Sequence, residues 1–263
     1  MSNILIILAA GKSSRMNSEY SKALHQVGNL TLLEHIISNA KLLSLKSLSI
    51  VVNNSLLKDL EKFDTLKSII DQYNIKLIIQ EDITGTGTAV KIALENLEEL
   101  SDQDIVLIQY GDTPFISSDT VMKMTDCLKY NNLVLLGFNS QDEQYGRLVI
   151  DNYGNVQKIL KNGDKMLLAN SGIIVSGDKM LLANSGIIVS YAKDLFTLVK
   201  EIKFNNSTNE YCLNDIVPIA ANNNLSVGYV VSDEREAMGV NNKEDLIKAE
   251  HYFQKKRRPT FLS

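Results

Sequence analysis

The feature that most constrains this chain is a strict alternation, through its first half, of short apolar runs with longer segments of helical periodicity. Ile4-Leu5-Ile6-Ile7-Leu8 carries no polar side chain on either face, as suits a parallel strand covered on both sides. Thr31 to Leu43 follows, with Leu32, Leu33, Ile36, Ile37 and Ala40 spaced for one face of a helix. Ser47 to Val52 reads as the next strand, and Leu56, Leu60, Phe63, Leu66, Ile69 and Ile70 mark a second helix. Ile75 to Ile79 and Asp104 to Gln109 are further strands, with helices over Thr88 to Leu97 and near Ser118 to Lys129. This order predicts an α/β fold with a doubly wound, mostly parallel, Rossmann-like sheet. Ligands of such sheets bind beyond the carboxyl ends of the strands, so chemistry is expected in the loops after Leu8, Gln80 and Gln109.

The second half is more mixed. Leu133 to Phe138 reads as a strand, and Arg147 to Ile150 with Asn155 to Leu160 as a small hairpin around Asp151-Asn152-Tyr153-Gly154. A strand ends near Ser190, helices cover Ala192 to Lys203 and Cys212 to Ala221, and Leu225 to Val231 is a late strand. Lys243 to Lys256 forms a terminal helix, and the expectation is one domain over 1–263 with 243–263 as that helix and its basic tail. Gly163 to Ser176 recurs letter for letter as Gly177 to Ser190. A recent duplication, or an error in the sequence, accounts for this; two units do not make a solenoid. The second copy runs directly into Tyr191 and the following helix, so it is expected to form the strand and the first to be a looped-out insertion.

A formal charge of -4 argues against a general nucleic-acid binder, whose footprint is basic. The basic run Lys255-Lys256-Arg257-Arg258 reads as a solvated helix end. Cys127 and Cys212 are too few and too far apart for a disulfide framework or a zinc site. The first strand lacks a basic leader, and no apolar run approaches the ~20 residues of a membrane span. A soluble, cytoplasmic protein without membrane partners is expected.

Three segments carry chemistry. Leu8-Ala9-Ala10-Gly11-Lys12-Ser13-Ser14-Arg15-Met16 follows a strand; its small residues admit a phosphate or base edge, and Lys12, Arg15 and the later Lys22 supply positive charge. A Walker A loop is excluded because Ile6 stands where its first glycine is required. Thr84-Gly85-Thr86-Gly87-Thr88-Ala89 opens a helix, but Val90 occupies the third glycine of a dinucleotide fingerprint. A phosphate- or sugar-contacting turn fits it better, with the Gln80 amide ahead of it able to pair with a base edge. In Tyr110-Gly111-Asp112-Thr113-Pro114 the aspartate at a strand end suits an Mg²⁺ ligand on a substrate phosphate. Each segment alone is also compatible with an ordinary turn, Asp112 for example capping one before Pro114.

Together with Tyr145-Gly146-Arg147, Asn-Ser-Gly-Ile, Glu210-Tyr211…Asp215 and Gly239-Val240-Asn241-Asn242, these segments resemble, in order and over nearly the whole chain, the bacterial N-acetylglucosamine-1-phosphate uridylyltransferase family. That family is the N-terminal half of bifunctional GlmU proteins, and the resemblance implies a sugar nucleotidyltransferase fold. Its acetyltransferase β-helix has no counterpart among these residues, and that second activity is not expected. The resemblance implies that Leu8, Ala9, Ala10, Gly11 and Gln80 hold the uridine, with Gly85, Thr86, Tyr110 and Gly111 close to the nucleotide. Arg15 and Lys22 bind phosphates, and with Asp112 they form the catalytic set. Gly146 and Asn184 contact the amino sugar, and Asp112 and Asn241 share the Mg²⁺ cofactor. The implied partners are UTP and a sugar 1-phosphate; a homo-oligomer is compatible with the sequence. His25, His35 and His251 have no role in this scheme. Ser21 replaces a proline before Lys22, Ile83 a glutamine before the glycine turn, and Lys161 a sugar-binding glutamate. Other readings that keep the same fold are transfer to another sugar 1-phosphate or from another base, as in the guanylyltransferase of molybdenum-cofactor synthesis, or nucleotide binding without turnover.

Overall fold

The computed structural model describes residues 3–11, 16, 18, 20–82, 84–160 and 182–257. The chain enters through β1 (Asn3–Leu8), makes a short hairpin of β2 (Gln26–Val27) and β3 (Leu30–Thr31), and continues into α1 (Leu32–Ala40). Then come β4 (Leu45–Val52), α2 (Asn54–Leu60), α3 (Asp64–Gln72), β5 (Lys76–Ile79), α4 (Thr86–Asn96), β6 (Ile105–Tyr110) and α5 (Ser118–Leu128). The second half holds β7 (Leu133–Phe138), β8 (Arg147–Ile150), β9 (Val156–Leu160), β10 (Ala183–Tyr191), α6 (Ala192–Lys200), α7 (Ile216–Asn222), β11 (Val227–Ser232), α8 (Glu234–Ala237) and α9 (Lys243–Arg257). The main sheet runs β11-β7-β10-β6-β1-β4-β5. Every pairing along it is parallel except those of β10, which lies antiparallel between β6 and β7.

Alternation along β1 explains the two layers. Leu5 and Ile7 face one cluster with Leu33, Ile36, Leu56, Leu66 and Met124, from α1, α2, α3 and α5. Ile4, Ile6 and Leu8 face the other with Val90, Leu94, Leu195, Leu198 and Ile216, from α4, α6 and α7. Both faces of a central strand are therefore covered, which is why its sequence is uninterruptedly apolar.

The expected single helix from Leu56 to Ile70 is two helices. Lys62 and Phe63 donate backbone hydrogen bonds to Asp59 and Leu60, closing tight turns, and Phe63 takes φ -119°, ψ 73°. Its ring meets Tyr20 edge-on at 5.6 Å. Leu60, Phe63 and Leu66 keep a three-residue spacing across the break, so the apolar pattern does not register it.

The second repeat copy supplies β10, where Ile188 to Tyr191 pair with Ile108 to Ile105. The register against β7 shifts between Asn184 and Ile188, and Gly186 in that bulge has φ 82°. A Cβ there would lie 2.2 Å from the Tyr110 ring. The first copy, with Asn170, and Lys161 lie outside the described residues. No helix among the described residues is long and apolar enough to cross a membrane.

A third apolar cluster fastens α9 to the β2–β3 hairpin. Val27, Leu32, Phe115, Met238, Val240 and Ala249 form it, with Leu246, Tyr252 and Phe253 against them. His35 lies edge-on between Phe115 and Phe253, its Nε2 2.8 Å from the Val27 carbonyl. The hairpin turn has φ 55° at Gly28 and 67° at Asn29, and the Gly28 N–H donates to Glu250 at 2.8 Å. A Cβ on Gly28 would stand 1.8 Å from the Phe253 ring. Gly28→Ala is thus expected to cost roughly 1–3 kcal/mol in urea unfolding. Combined with Phe253→Leu, the loss should fall short of the sum of the two single losses, because the two changes share one contact. Strict additivity would show that Phe253 does not press on this turn.

Candidate functional site

At the carboxyl ends of β1, β5 and β6 lies a cleft of about 470 Å³. Its floor is the Leu8–Gly11 backbone, held by neighbouring strands. Ala9 N donates to Val51 O and Gly111 N to Leu8 O, both at 2.9 Å. Asn53 donates through Nδ2 to Ala10 O at 2.8 Å while its Oδ1 caps α2 at Leu56 N. Gly111 closes tightly here, since a Cβ on it would be 3.1 Å from that of Ala9.

The second wall is the glycine turn before α4. Gln80, only 2% exposed, donates from Nε2 to Gly85 O at 3.1 Å. Gly85 has φ 109°, and a Cβ there would sit 2.4 Å from Tyr211 O. The turn is joined to the segment before α7 by Tyr211 N to Thr84 O at 2.7 Å and Gly87 N to Tyr211 O at 2.8 Å. Leu213 N adds a bond to the Thr86 hydroxyl at 3.0 Å. That segment contributes Thr208, Asn209 and Glu210 to the cleft, on a tight loop closed by the Asn205–Glu210 bridge. Burial pushes the Tyr110 phenol above its usual pKa, a hydrogen bond with Thr86 offsetting part of the rise.

At the mouth, Lys22 rises from the short 3-10 turn Lys22–Leu24. Its Nζ donates to a carboxylate oxygen of Asp112 and, at 3.0 Å, to Asn241 Oδ1. Asp112 Oδ1 also accepts from the Thr113 hydroxyl, and Val240 N donates to Asp112 O at 2.8 Å. Asn241 is held by Asp245, which accepts from its N–H at 2.9 Å and is itself capped by Asn242 at 2.9 Å. Two hard oxygen donors thus converge on one cationic atom. That donor set fits Mg²⁺, which takes one or two protein oxygens and completes its shell with phosphate and water. Among the described residues no group of three His, Cys, Asp or Glu is placed to hold a metal by itself.

Of the sequence-predicted residues, Leu8, Ala9, Ala10, Gly11, Lys22, Gln80, Gly85, Thr86, Tyr110, Gly111 and Asp112 line the cleft. Asn241 joins through Lys22. Gly146 and Asn184 sit beside it rather than in its lining, bonded to each other from Asn184 N to Gly146 O at 2.8 Å. Asn184 Nδ2 reaches Asn214 at 3.5 Å, and Gly186 behind it backs the Tyr110 ring. Arg15 lies outside the described residues. Ser21, Ala23, Ala89, Thr208, Asn209 and Glu210 also line the cleft without having been singled out as site residues. Of these, Glu210 had a signal in the Glu210-Tyr211 motif. None of the three histidines lines it; burial and the nearby Lys243 hold the His25 imidazole below its usual pKa.

Residues 5–185 match the family described as MobA-like NTP transferase domain. The chain belongs to this NTP transferase family. It is 46% identical over 263 residues to the bifunctional protein GlmU of Wolbachia sp. subsp. Brugia malayi, covering 98% of this chain and 59% of that protein. It is 44% identical over 261 residues to the GlmU of Wolbachia pipientis wMel, covering 97% and 55%. The chain therefore spans little more than half the length of these relatives. In fold it is similar to a UDP-glucose pyrophosphorylase complexed with UDP-glucose, with TM-score 0.72, 17% identity, and 98% and 100% of the two chains covered. The nucleoside-diphosphate-sugar pyrophosphorylase of Vibrio cholerae RC9 gives TM-score 0.69 at 15% identity, covering 94% and 99%. At these identities the two structures speak for the NTP transferase fold alone.

Ser21 has φ -55° and ψ 143°, a conformation proline shares, and its buried Oγ has no hydrogen-bond partner among the described residues. Ser21→Pro should raise the stability of this NTP transferase domain by about 0.4–1 kcal/mol, measured by thermal unfolding, by restricting the unfolded chain. A loss of stability would mean that the serine N–H or hydroxyl is needed where it stands.

Proposed function

We propose that the chain transfers a uridylyl group from UTP to N-acetylglucosamine 1-phosphate, forming UDP-N-acetylglucosamine and pyrophosphate. The observation that carries this reading is the convergence of Lys22, Asp112 and Asn241 at the mouth of a cleft floored by Leu8–Gly11. Similarity to GlmU proteins over 98% of the chain supports the choice of base and sugar. The uridine lies against the small-residue floor, with Gln80 facing its base edge. Gly146 and Asn184 take the amino sugar next to Tyr110.

In the transfer, a phosphate oxygen of the sugar 1-phosphate attacks the α-phosphorus of UTP. The bond from that phosphorus to the bridging oxygen of the β-phosphate breaks, and pyrophosphate departs with the electron pair. No side chain is required as a covalent nucleophile; positioning and charge neutralisation carry most of the acceleration. Asp112 and Asn241 hold Mg²⁺, which when bound neutralises phosphate charge and orients the oxygens. Lys22, with Arg15, balances the charge that develops on the leaving pyrophosphate.

Pyrophosphate release measured over a matrix of nucleoside triphosphates and sugar 1-phosphates should be strong only for UTP with N-acetylglucosamine 1-phosphate. Another productive pair would replace the substrate assignment, and silence throughout with nucleotide binding retained would end the enzymatic one. Asp112→Ala should lower kcat by at least about a hundred-fold with an unchanged circular dichroism spectrum. Lys22→Ala should reduce kcat more than it raises KM, because its partner charge grows in the transition state.

A further inference from the structure

The sugar side and the metal side of this site lie on different stretches of chain, and two side-chain hydrogen bonds tie them together. Tyr145 immediately precedes Gly146, whose carbonyl accepts from Asn184 N. The Tyr145 Oη accepts from Gly239 N at 3.2 Å. Gly239 is buried and packs directly on Asn241 and Asp112: a Cβ on it would lie 3.2 Å from Asn241 Nδ2 and 3.7 Å from Asp112 Oδ1. Its carbonyl accepts from Asn241 Nδ2 at 3.4 Å. A second tie runs parallel to the first, from the Ser140 hydroxyl to Glu234 Oε1 at 2.8 Å. Arg147 stiffens the segment between the ties, donating to Ser140 O at 2.7 Å and Asp142 O at 2.8 Å.

Tyr145 is itself held. Its ring stands edge-on to Phe138 with centroids 4.9 Å apart, so the hydroxyl has little freedom to leave Gly239. Burial pushes its pKa up to about 12, the Gly239 bond opposing part of the shift, and the phenol stays neutral over the working range of an enzyme. The buried Gly239 N–H has no other partner among the described residues, so loss of the hydroxyl leaves a main-chain donor unpaired.

Building on the proposed function, we infer that Tyr145 is a positioning residue whose hydroxyl makes the sugar-contacting strand end and the Asn241 loop move as one unit. Sugar binding against Gly146 and Asn184 then presets the Asn241 oxygen for the cation, and cation binding presets the sugar contacts. Coupling of this kind is reciprocal: whatever factor the sugar adds to cation affinity, the cation adds to sugar affinity.

The test is Mn²⁺ binding to the full chain, followed by electron paramagnetic resonance with saturating UDP-N-acetylglucosamine and, separately, with UMP. In the wild type the sugar nucleotide should tighten Mn²⁺ relative to UMP. In Tyr145→Phe, which keeps the ring on Phe138, that advantage should shrink roughly three- to ten-fold, the worth of one hydrogen bond. UMP affinity without metal should stay unchanged. Ser140→Ala should weaken the coupling in the same direction, whereas Tyr153→Phe, at a turn residue 92% exposed, should leave it intact. Equal Mn²⁺ coupling in the wild type and Tyr145→Phe would overturn the inference while leaving the proposed function standing. A wild type that binds no UDP-N-acetylglucosamine would overturn the substrate reading and this inference with it.

Discussion

The Lys22 ammonium meets a carboxylate that lies 90 residues away in the chain and an amide oxygen 219 residues away. Opposite charges are balanced there and two oxygen donors are aimed at one point, so three distant parts of the chain must arrive together. Asp112 arrives on a rigid support, the end of a central strand paired on both sides. Lys22 and Asn241 have no such strand. Their positions depend on α9, which clamps the β2–β3 hairpin through Phe253 and Glu250 and carries Asn241 ahead of its own first turn. The terminal helix is therefore part of the site's geometry even though none of its described residues lines the cleft.

The remaining walls follow the same logic of backbone held by backbone. The Leu8–Gly11 floor presents its main chain because Val51, Asn53 and Gly111 fix it from three sides. The glycine turn is fixed by Tyr211 and Leu213, so the loop carrying Thr208, Asn209 and Glu210 cannot shift without disturbing the turn that faces it. Preorganisation of this kind suits a reaction in which holding phosphates in line matters more than any single reactive side chain.

Much of the sheet could be read from the residues because β1, β6 and β7 are covered on both faces and run almost wholly apolar, the buried Gln109 of β6 being satisfied by donating to Thr113 O. The direction of β10 could not be read. A buried strand has the same apolar pattern whether it runs up or down, and only the neighbours of Ile188 to Tyr191 show that it is antiparallel. The break at Phe63 was hidden by a spacing that one helix or two can satisfy. The β2–β3 hairpin left almost no signal, since two-residue strands are too short for alternation to register. Within the site, the floor, Gln80 and the glycine turn were legible through the resemblance, and Thr208 and Asn209 were not. They sit in a polar loop of the sort that covers any surface, and only its bonding to Thr84–Gly87 sets it against the cleft. Tyr145 stood in a recognised motif, but its tie to Gly239 spans 94 residues and is a property of the fold.

The convergence at Lys22 can be tested directly in a liganded crystal. Crystals of the full chain grown with Mn²⁺ and UDP-N-acetylglucosamine, with data collected at the manganese absorption edge, address it directly. One anomalous peak is expected in the cleft, bonded to the Asp112 carboxylate, the Asn241 side-chain oxygen and a nucleotide phosphate, with Lys22 turned onto the phosphates. A peak coordinated elsewhere, or a bound nucleotide with Lys22 still locked between Asp112 and Asn241 and no metal beside it, would contradict this expectation.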